Sequence, residues 1–297
     1  MLPNFFIAGV SRSGTTSLFY YLNQHPQVNF PDLKEPRYFS HGSVTLPQNG
    51  PGDHTVDQKL VTSWDQYCAI YERLDNVFIG DASSEYLYNY ESVIPETLKR
   101  LGDIPIILML RNPVDRSYSA YNNLIRDGRE TLPFEKALDK EEERKAANFD
   151  EMWHYKSVSM YSKSVQSFKS NFSKVKVLIF EEFVQDPEKY VTEIFEFLGA
   201  AELADINTTT AYSKSGKPKS KFITLLFGRN SSLGNIIRNT VFYVLGRTNV
   251  EKIGKHFMSE NEGINKEVRI ALNEYFANDI KDLEIVIGRD LNLWKNN

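Results

Sequence analysis

Residues 5–17 decide the fold, and they read Phe5-Phe6-Ile7-Ala8-Gly9-Val10-Ser11-Arg12-Ser13-Gly14-Thr15-Thr16-Ser17. An apolar run of strand length breaks into a turn rich in glycine and hydroxyl groups, and a helical pattern follows over residues 18–22. The first N–H groups of a helix have no partners within the helix, and the helix dipole favours negative charge there. Arg12 and the hydroxyls of Thr15 and Thr16 add donors for phosphate-like oxygens. The stretch therefore predicts a strand, an anion-binding turn and a helix.

The spacing of residues 9–16 matches the phosphate-binding loop of nucleoside triphosphatases, G-x-x-x-x-G-K-[ST], except that Thr15 stands where the lysine belongs. In those enzymes the lysine reaches the β- and γ-phosphates beside a magnesium ion, whereas the cation of this turn is Arg12. This departure argues against a kinase-like enzyme that uses ATP and magnesium, although Asp81 could mimic a magnesium ligand. The kinase stays as one alternative, and a non-catalytic module that binds a phosphorylated partner is the other.

A second anion site is predicted after the apolar run 104–110, which has the length of a central strand. Asn112 precedes a proline and is pushed out of the α region, so Arg111 ends the strand and a helix begins at Pro113. Ser119 then falls on the second turn of that helix, where it can face the same anion as Arg111. Two such sites on neighbouring strand ends suit a nucleotide with two phosphate positions.

Strand and helix signals alternate along the chain without a linker rich in proline, glycine or serine. This order predicts an α/β fold, a parallel β-sheet flanked by helices with a P-loop-like nucleotide-binding core, in a single domain over residues 1–297. Strands are predicted at residues 4–10, 77–81, 104–110 and 174–180. Helices are predicted at residues 15–24, 64–73, 113–127, 132–145, 159–171, 187–198 and 266–287.

The two anion motifs together resemble those of sulfotransferases that use 3'-phosphoadenosine 5'-phosphosulfate (PAPS), and the resemblance extends over roughly residues 5–294. The turn S-R-S-G-T-T-S is similar to the family's 5'-phosphosulfate loop, and the family binds the 3'-phosphate with an arginine and the serine eight positions later. The resemblance implies a PAPS-dependent enzyme that releases 3'-phosphoadenosine 5'-phosphate (PAP). It also implies the cofactor-binding residues Arg12, Ser13, Gly14, Thr15, Thr16, Ser17, Arg111 and Ser119, with Arg12 also stabilising the leaving oxygen.

The segment Lys34-Glu35-Pro36-Arg37-Tyr38-Phe39 resembles the one that carries the catalytic glutamate in glycan (heparan-type) and protein-tyrosine sulfotransferases. Glu35 is the matching position, so the resemblance implies that it takes the proton of an acceptor hydroxyl or amine during in-line transfer. We expect Pro36, Tyr38 and Phe39 to give a partly apolar setting that keeps the pKa of Glu35 near working pH. This chemistry demands no metal.

The segment that follows the predicted strand 77–81 resembles the family's substrate motif G-E-x-S-P-x-Y, with Asp81 in place of glutamate and Ser84 in place of proline. We predict that Asp81 and Ser83 line the acceptor pocket. Glu85 is an alternative general base, although a salt bridge is the favoured role for it. Glycan, phenol, lipid headgroup and small amine stay open as acceptors, and the resemblance around Glu35 favours a saccharide hydroxyl.

The chain carries 35 Lys and Arg against 39 Asp and Glu, and its formal net charge of −4 argues against bulk attraction to nucleic acid or to an anionic membrane. Four lysines nevertheless fall within residues 214–221. Lys217 and Lys219 are predicted to close over a cofactor phosphate, and a solvated loop is the equally weighted alternative.

The single cysteine, Cys68, excludes an intramolecular disulfide and a cysteine-rich zinc site, and it fits a reducing compartment. The sequence shows neither a secretion signal nor an apolar run of about 18 residues. We therefore expect a cytoplasmic protein if the chain is full length. The five histidines show no metal-ligand spacing, so no metal site is predicted.

Overall fold

The predicted strand regions form one parallel sheet in the computed structural model, which describes residues 1–201, 206–209, 217–218, 258–259 and 263–295. The strands of this sheet are β1 (Phe5–Gly9), β2 (Val28–Asn29), β3 (Phe78–Asp81), β4 (Ile106–Leu110) and β5 (Val175–Ile179). Their spatial order is β2-β3-β1-β4-β5, so β1 is central and the strand order reverses beside it. Open sheets of this kind bind ligands at the carboxyl ends of the strands where the order reverses. The ends of β1 and β4 are therefore the expected site.

Apolar side chains cover both faces of the sheet, because every residue of β1 and β4 is buried. Successive residues of a strand point to opposite faces. Accordingly Phe6 and Ile106 belong to one hydrophobic cluster, whereas Phe5 and Ile107 belong to another. This burial on two sides explains why the strands read as continuous apolar runs instead of alternating patterns.

Helices pack around the sheet, and short 3-10 helices lie at Tyr38–Ser43, Ser84–Tyr86, Glu151–Trp153 and Ser157–Ser159. The α-helices of the described residues are α1 (Thr15–Leu22), α2 (His54–Asp57), α3 (Trp64–Tyr71), α4 (Tyr90–Arg100), α5 (Pro113–Arg126), α6 (Phe134–Asp139), α7 (Glu141–Ala146), α8 (Ser162–Asn171), α9 (Phe180–Phe183), α10 (Pro187–Leu198), α11 (Lys266–Ile287) and α12 (Asn292–Lys295). None of them combines the length and the apolar character that a membrane span requires.

The predicted sheet and its flanking helices are confirmed. The structure differs from the prediction at elements that are short or interrupted. The predicted helix 132–145 is two helices, α6 and α7, which meet at Lys140. Helix α4 was not predicted, because Pro95 lies inside it and proline usually ends a helix. Strand β2 has only two residues, too few for a periodic signal.

The lysine-rich segment 214–221 lies mostly outside the described residues. The backbone of Lys217 forms a short strand, β6 (Lys217–Pro218), which pairs antiparallel with β7 (Met258–Ser259) and passes beside α5. Lys219 lies outside the described residues. The single-domain organisation of residues 1–297 and the closing role of the two lysines stay predictions.

Candidate active site

The turn after β1 adopts a conformation that glycine makes possible. Gly14 has φ +87°, and a Cβ atom there would lie 2.8 Å from Cδ2 of Phe180. Arg12 also lies in the left-handed region, with φ +73°. Two positive φ values in three residues turn the chain sharply from the strand into α1, so that the turn packs against α9 at the carboxyl end of the sheet.

Hydrogen-bond donors accumulate at this turn. Gly14 is the N-cap of α1, and it has no side chain that could accept hydrogen bonds from the first N–H groups of the helix. Ser13 is fully buried, and its Oγ has no partner among the described residues. A buried hydroxyl without a partner is costly unless a ligand satisfies it. The turn thus has the predicted anion-site geometry, with Thr15 and Thr16 opening the helix.

The second predicted site begins where β4 ends. The Asn112 side chain caps α5 by accepting hydrogen bonds from the N–H groups of Val114 and Asp115 at 3.0 and 3.4 Å. Arg111 Nη1 donates to the carbonyl oxygen of Arg12 at 3.0 Å, and its guanidinium carbon lies 4.7 Å from the centre of the Phe180 ring. The buried Nε of Arg111 has no partner among the described residues, which leaves a donor for an anion.

The two sites are joined in one surface. The Nε of Arg12, from the turn after β1, donates to the Oγ of Ser119 on α5 at 3.2 Å. Ser119 is buried, and the parallel pairing of β1 with β4 brings their carboxyl ends side by side. The structure therefore brings Arg12, Arg111 and Ser119 together, as the sequence predicted.

Guanidinium groups crowd this surface and make it strongly positive. Burial and, after it, the nearby charges of Arg126, Arg111 and Arg116 together lower the pKa of Arg12 to about 10, whereas the charge of Asp127 opposes them. Burial also lowers the pKa of Arg111. Burial and like charges destabilise the charged form of these guanidinium groups, so the binding of an anion next to them is favourable.

Arg116 is a residue that sequence reasoning missed. It is fully buried on α5, and its Nε and Nη2 donate to the carbonyl oxygen and the hydroxyl of Ser11, both at 3.2 Å. Its Nη1 donates to the carbonyl oxygen of Tyr155 and to the hydroxyl of Ser159, also at 3.2 Å. Arg116 therefore positions the turn from beneath. Its position on the inner face of α5 could have indicated this role, because arginine is rarely buried unless its guanidinium group is paired.

Glu35 lies beside a cation, which differs from the expected apolar setting. Its Oε1 accepts hydrogen bonds from Lys34 Nζ at 2.5 Å and from Ser84 Oγ at 3.1 Å, and its side chain is 37% exposed. Burial opposes the charged form, but Lys34 and Arg37 outweigh it and lower the pKa of Glu35 below its usual range. The expectation of a pKa near working pH was wrong, because the apolar side chains of Tyr38 and Phe39 pack into the core instead.

Glu85 is held in a salt bridge, as the favoured interpretation had it. Arg37 Nε lies 2.9 Å from Glu85 Oε1, and Ser40 Oγ donates to the same oxygen at 3.1 Å. Burial raises the pKa of the Glu85 carboxyl, although the charge of Arg37 acts against that rise. Glu85 is buried behind Arg37, so it has no open path to an acceptor.

Asp81 and Ser83 do not line an open pocket, which corrects the prediction that they contact the acceptor. Both are fully buried. The carboxylate of Asp81 accepts hydrogen bonds from the hydroxyls of Tyr67, Ser83 and Tyr86 at 2.8, 2.7 and 2.9 Å. Ser83 Oγ also accepts from the N–H of Arg37 at 3.2 Å. The pair therefore supports the backbone next to Glu35 from inside the protein.

A cleft of about 450 Å³ opens next to Arg37. It is lined by carboxylates, aromatic rings and two cations, among them Arg37, Tyr88, Tyr90, Glu91, Lys145, Asp150, Glu151 and His154. Asp150 and Glu151 lie 3.7 and 3.9 Å from Arg37 Nη2, and Glu85 occupies its Nε. Burial raises the pKa of Glu151 well above its usual range, and the neighbouring carboxylates Glu85 and Asp150 add to the rise.

The described residues contain no group of three or more histidine, cysteine, aspartate or glutamate side chains that could hold a metal ion. Asp81, the carboxylate that could have mimicked a magnesium ligand, accepts hydrogen bonds from three hydroxyl groups instead. Within the described part of the chain, the site is therefore built from cations and hydroxyls around an anion position.

Comparison with known proteins places this geometry in a family. The sequence model described as the Sulfotransferase family matches residues 3–205. The crystal structure of a sulfotransferase from Alicyclobacillus acidocaldarius aligns over 100% of both chains with 30% identity and a TM-score of 0.78. The structure of mouse sulfotransferase SULT7A1 complexed with PAP covers 99% of this chain and 87% of that one, at 16% identity and a TM-score of 0.53, which shows the shared fold.

Among curated relatives, human heparan sulfate glucosamine 3-O-sulfotransferase 3B1 is 25% identical over 203 residues, which are 67% of this chain and 46% of that protein. The chain spans less than half the length of the curated relatives it matches.

Proposed function

Because the chain belongs to the sulfotransferase family, we propose that it transfers a sulfuryl group from PAPS to a hydroxyl group of an acceptor. The observation that carries this proposal is the bond between Arg12 and Ser119, which joins two anion sites at neighbouring strand ends into one surface. A nucleotide with groups at its 5' and 3' positions matches such a surface. The PAP bound to the mouse relative has that chemistry.

The residues present fit PAPS. The fully buried Ser13 Oγ and the buried Nε of Arg111 lack partners among the described residues, and each would gain one from an anionic oxygen. Ser13, Gly14, Thr15, Thr16 and Ser17 would hold the 5'-phosphosulfate, and Arg111 with Ser119 the 3'-phosphate. Bound PAPS supplies the sulfuryl group. Arg12 and the N–H groups at the start of α1 stabilise negative charge at the 5' position.

Glu35 is our proposed general base for the acceptor hydroxyl. It is the partly exposed carboxylate of its segment, whereas Glu85 is buried against Arg37 and Asp81 is buried against three hydroxyl groups. Lys34 holds Glu35 ionised, so the carboxylate is ready to receive a proton but is weakly basic while that contact lasts. The positive φ of Glu35, +59°, marks a backbone held in an unusual conformation at this point.

The cleft beside Arg37 is the proposed acceptor site, and its charges favour a neutral or amine-bearing saccharide. Glu85, Asp150 and Glu151 surround the single guanidinium of Arg37, so carboxylates outnumber cations at this point. The rings of Tyr88 and Tyr90 offer surfaces on which a sugar can pack. The heparan sulfate relative supports a saccharide, but a sulfated polyanion would meet repulsion from these carboxylates.

Turnover with PAPS and a neutral amino-oligosaccharide, compared with turnover on heparan sulfate, tests the acceptor class. We expect the neutral or amine-bearing sugar to be sulfated faster, and Glu91→Gln, which removes a carboxylate that lines the cleft, to narrow the difference in rate. Faster sulfation of heparan sulfate by the unmodified protein would overturn this choice of acceptor and leave the cofactor proposal intact.

Several finer expectations belong to the same proposal. Lys217 and Lys219 would close over a cofactor phosphate, which the course of β6 beside α5 supports for Lys217. The proposal also includes a single domain over residues 1–297 and a cytoplasmic location if the chain is full length. A kinase would need the lysine that Thr15 replaces, and it would bind ATP with magnesium. A non-catalytic module would bind PAP and show no turnover with Glu35 intact.

Calorimetric titration with PAP and with ATP plus magnesium tests the central claim. We expect selective binding of PAP by the unmodified protein and loss of that binding in Arg111→Ala. Sulfuryl transfer from radiolabelled PAPS, abolished in Glu35→Gln with PAP binding retained, would then separate an enzyme from a binding module. Tighter binding of ATP with magnesium than of PAP would contradict the sulfotransferase proposal.

A further inference from the structure

One face of α5 continues the anion surface beyond Ser119. Residues four and seven positions later on a helix return to the same face, which places Asn123 and Arg126 in line with Ser119. Arg126 Nη2 donates to the side-chain oxygen of Asn123 at 2.5 Å. Long helical side chains lean towards the helix N-terminus, so the guanidinium of Arg126 is held over the turn that leads back to Ser119.

Asn122, on the turn between them, has a buried amide that nothing satisfies. Its side chain is 2% exposed, and neither Nδ2 nor Oδ1 has a hydrogen-bond partner in the part of the chain that the structure describes. An amide in this state lacks both a donor and an acceptor contact, which destabilises the protein unless a ligand provides them. This is an observation independent of the charges, and it points to a polar ligand at the same turn.

The charge of Arg126 acts directly on the cofactor surface. After burial, Arg126 has the largest effect among the charges that lower the pKa of Arg12. Arg126 is paired with Asp127, whose Oδ1 lies 3.4 Å from Nε. Arg126, Arg111 and Arg116 all lower the pKa of Arg12, and Asp127 is the carboxylate that opposes them there, so the surroundings of Arg12 carry positive charge that a phosphate dianion would neutralise.

We propose that Arg126, positioned by Asn123, binds the 3'-phosphate of the cofactor together with Arg111 and Ser119, and that Asn122 contacts the same nucleotide. Arg126 would then be a specificity-determining residue that selects nucleotides with a 3'-phosphate over those without one. The inference rests on the proposed function, since it assigns a further part of the same cofactor site.

Two nucleotides that differ only in the 3'-phosphate, PAP and adenosine 5'-monophosphate (AMP), separate the contribution of Arg126 from general effects. Calorimetric titration of the full chain with both should show that Arg126→Gln binds PAP about ten-fold more weakly, the weakening expected for one charge-assisted hydrogen bond, with AMP affinity unchanged. Arg126→Lys should recover part of the PAP affinity. Arg73→Gln is the control, because Arg73 is exposed and precedes β3, at the opposite end of the sheet.

Asn122→Leu gives a second readout that a structural role would not produce. Replacing an unsatisfied buried amide by an apolar side chain of similar size should raise the melting temperature without ligand and at the same time weaken PAP binding. Equal losses for PAP and AMP in Arg126→Gln, or no loss for either, would overturn the inference. If the unmodified protein does not prefer PAP over AMP, the proposed function itself fails and the inference falls with it.

Discussion

Lys34 sets the basicity of Glu35, and replacing it tests whether Glu35 is the general base. In the structure Lys34 Nζ lies 2.5 Å from Glu35 Oε1, and its charge and hydrogen bond lower the pKa of that carboxyl against the opposing effect of burial. Lys34→Met removes both influences and keeps a side chain of similar length. Burial then acts against the contributions of Arg37 and Ser84 alone, so the pKa of Glu35 must rise.

The size of this rise follows from Coulomb's law and from exposure. Two unit charges about 4 Å apart interact by about 1 kcal/mol in water and about 4 kcal/mol at an effective dielectric constant of about 20. The side chains of Lys34 and Glu35 are 23% and 37% exposed, which keeps the pair near the aqueous end of that range. Since one pKa unit corresponds to about 1.4 kcal/mol, we expect a rise of about one unit.

The assay is the pH dependence of kcat/KM for sulfuryl transfer. A general base must be ionised in the free enzyme, so the rate falls as the pH drops through its pKa, and a higher pKa moves this acid limb to higher pH. Lys34→Met should shift the acid limb upwards by about one pH unit, and Lys34→Arg should leave it close to its original position. Lys99→Met, at an exposed lysine on α4, serves as the control.

Two results would refute this reasoning. An acid limb that stays in place in Lys34→Met would mean that Glu35 does not control it. A Glu35→Gln variant that keeps both its rate and its acid limb would show that another group accepts the proton. Carbon-13 NMR titration of the glutamate side chains, with the Glu35 signal assigned by its absence in Glu35→Gln, measures the pKa independently of turnover.

Three further perturbations follow from the contacts of the site. Gly14→Ala should abolish PAP binding, seen by calorimetry, because its Cβ would lie 2.8 Å from Phe180 at a φ of +87°. Arg116→Met should weaken PAP binding about ten-fold, because the turn loses its anchors at Ser11, while the melting temperature changes little since the new side chain fills the same buried volume. Burial raises the pKa of Asp81 to about 6, so its folded state resists ionisation and loses stability as the pH rises from about 4 to 7. Urea unfolding should therefore show that Asp81→Asn gains about 3 kcal/mol relative to the unmodified protein across that range.

The fold was predictable from the sequence where burial on two sides left continuous apolar runs, as in β1 and β4. The predicted boundaries of the helices 187–198 and 266–287 were confirmed, because a proline at the first position of α10 and glycines after both helices mark the ends. Helix α4 was not predictable in this way, since tertiary packing of its buried face overrides the proline inside it.

Some parts of the candidate site could likewise be predicted from local sequence, and others could not. The turn before α1 and the start of α5 at Pro113 follow from local residue types, and the structure has both as expected. The environment of Glu35 does not follow from local types, because it depends on which neighbours face it. Tyr38 and Phe39 could turn towards Glu35 or towards the core, and the core gains more free energy from burying their rings.

Arg12 gives the site a property that neither anion motif has alone. Its backbone oxygen accepts from Arg111 and its side chain donates to Ser119, so the turn after β1 is tied to the residues predicted to hold the 3'-phosphate. Ligand charge at the 3' position competes for those same donors, and the position of Arg12 at the 5' loop must respond to it. Under the proposed function, one guanidinium would respond to both ends of the nucleotide, which would make the bisphosphate a better fit than the sum of two separate phosphates.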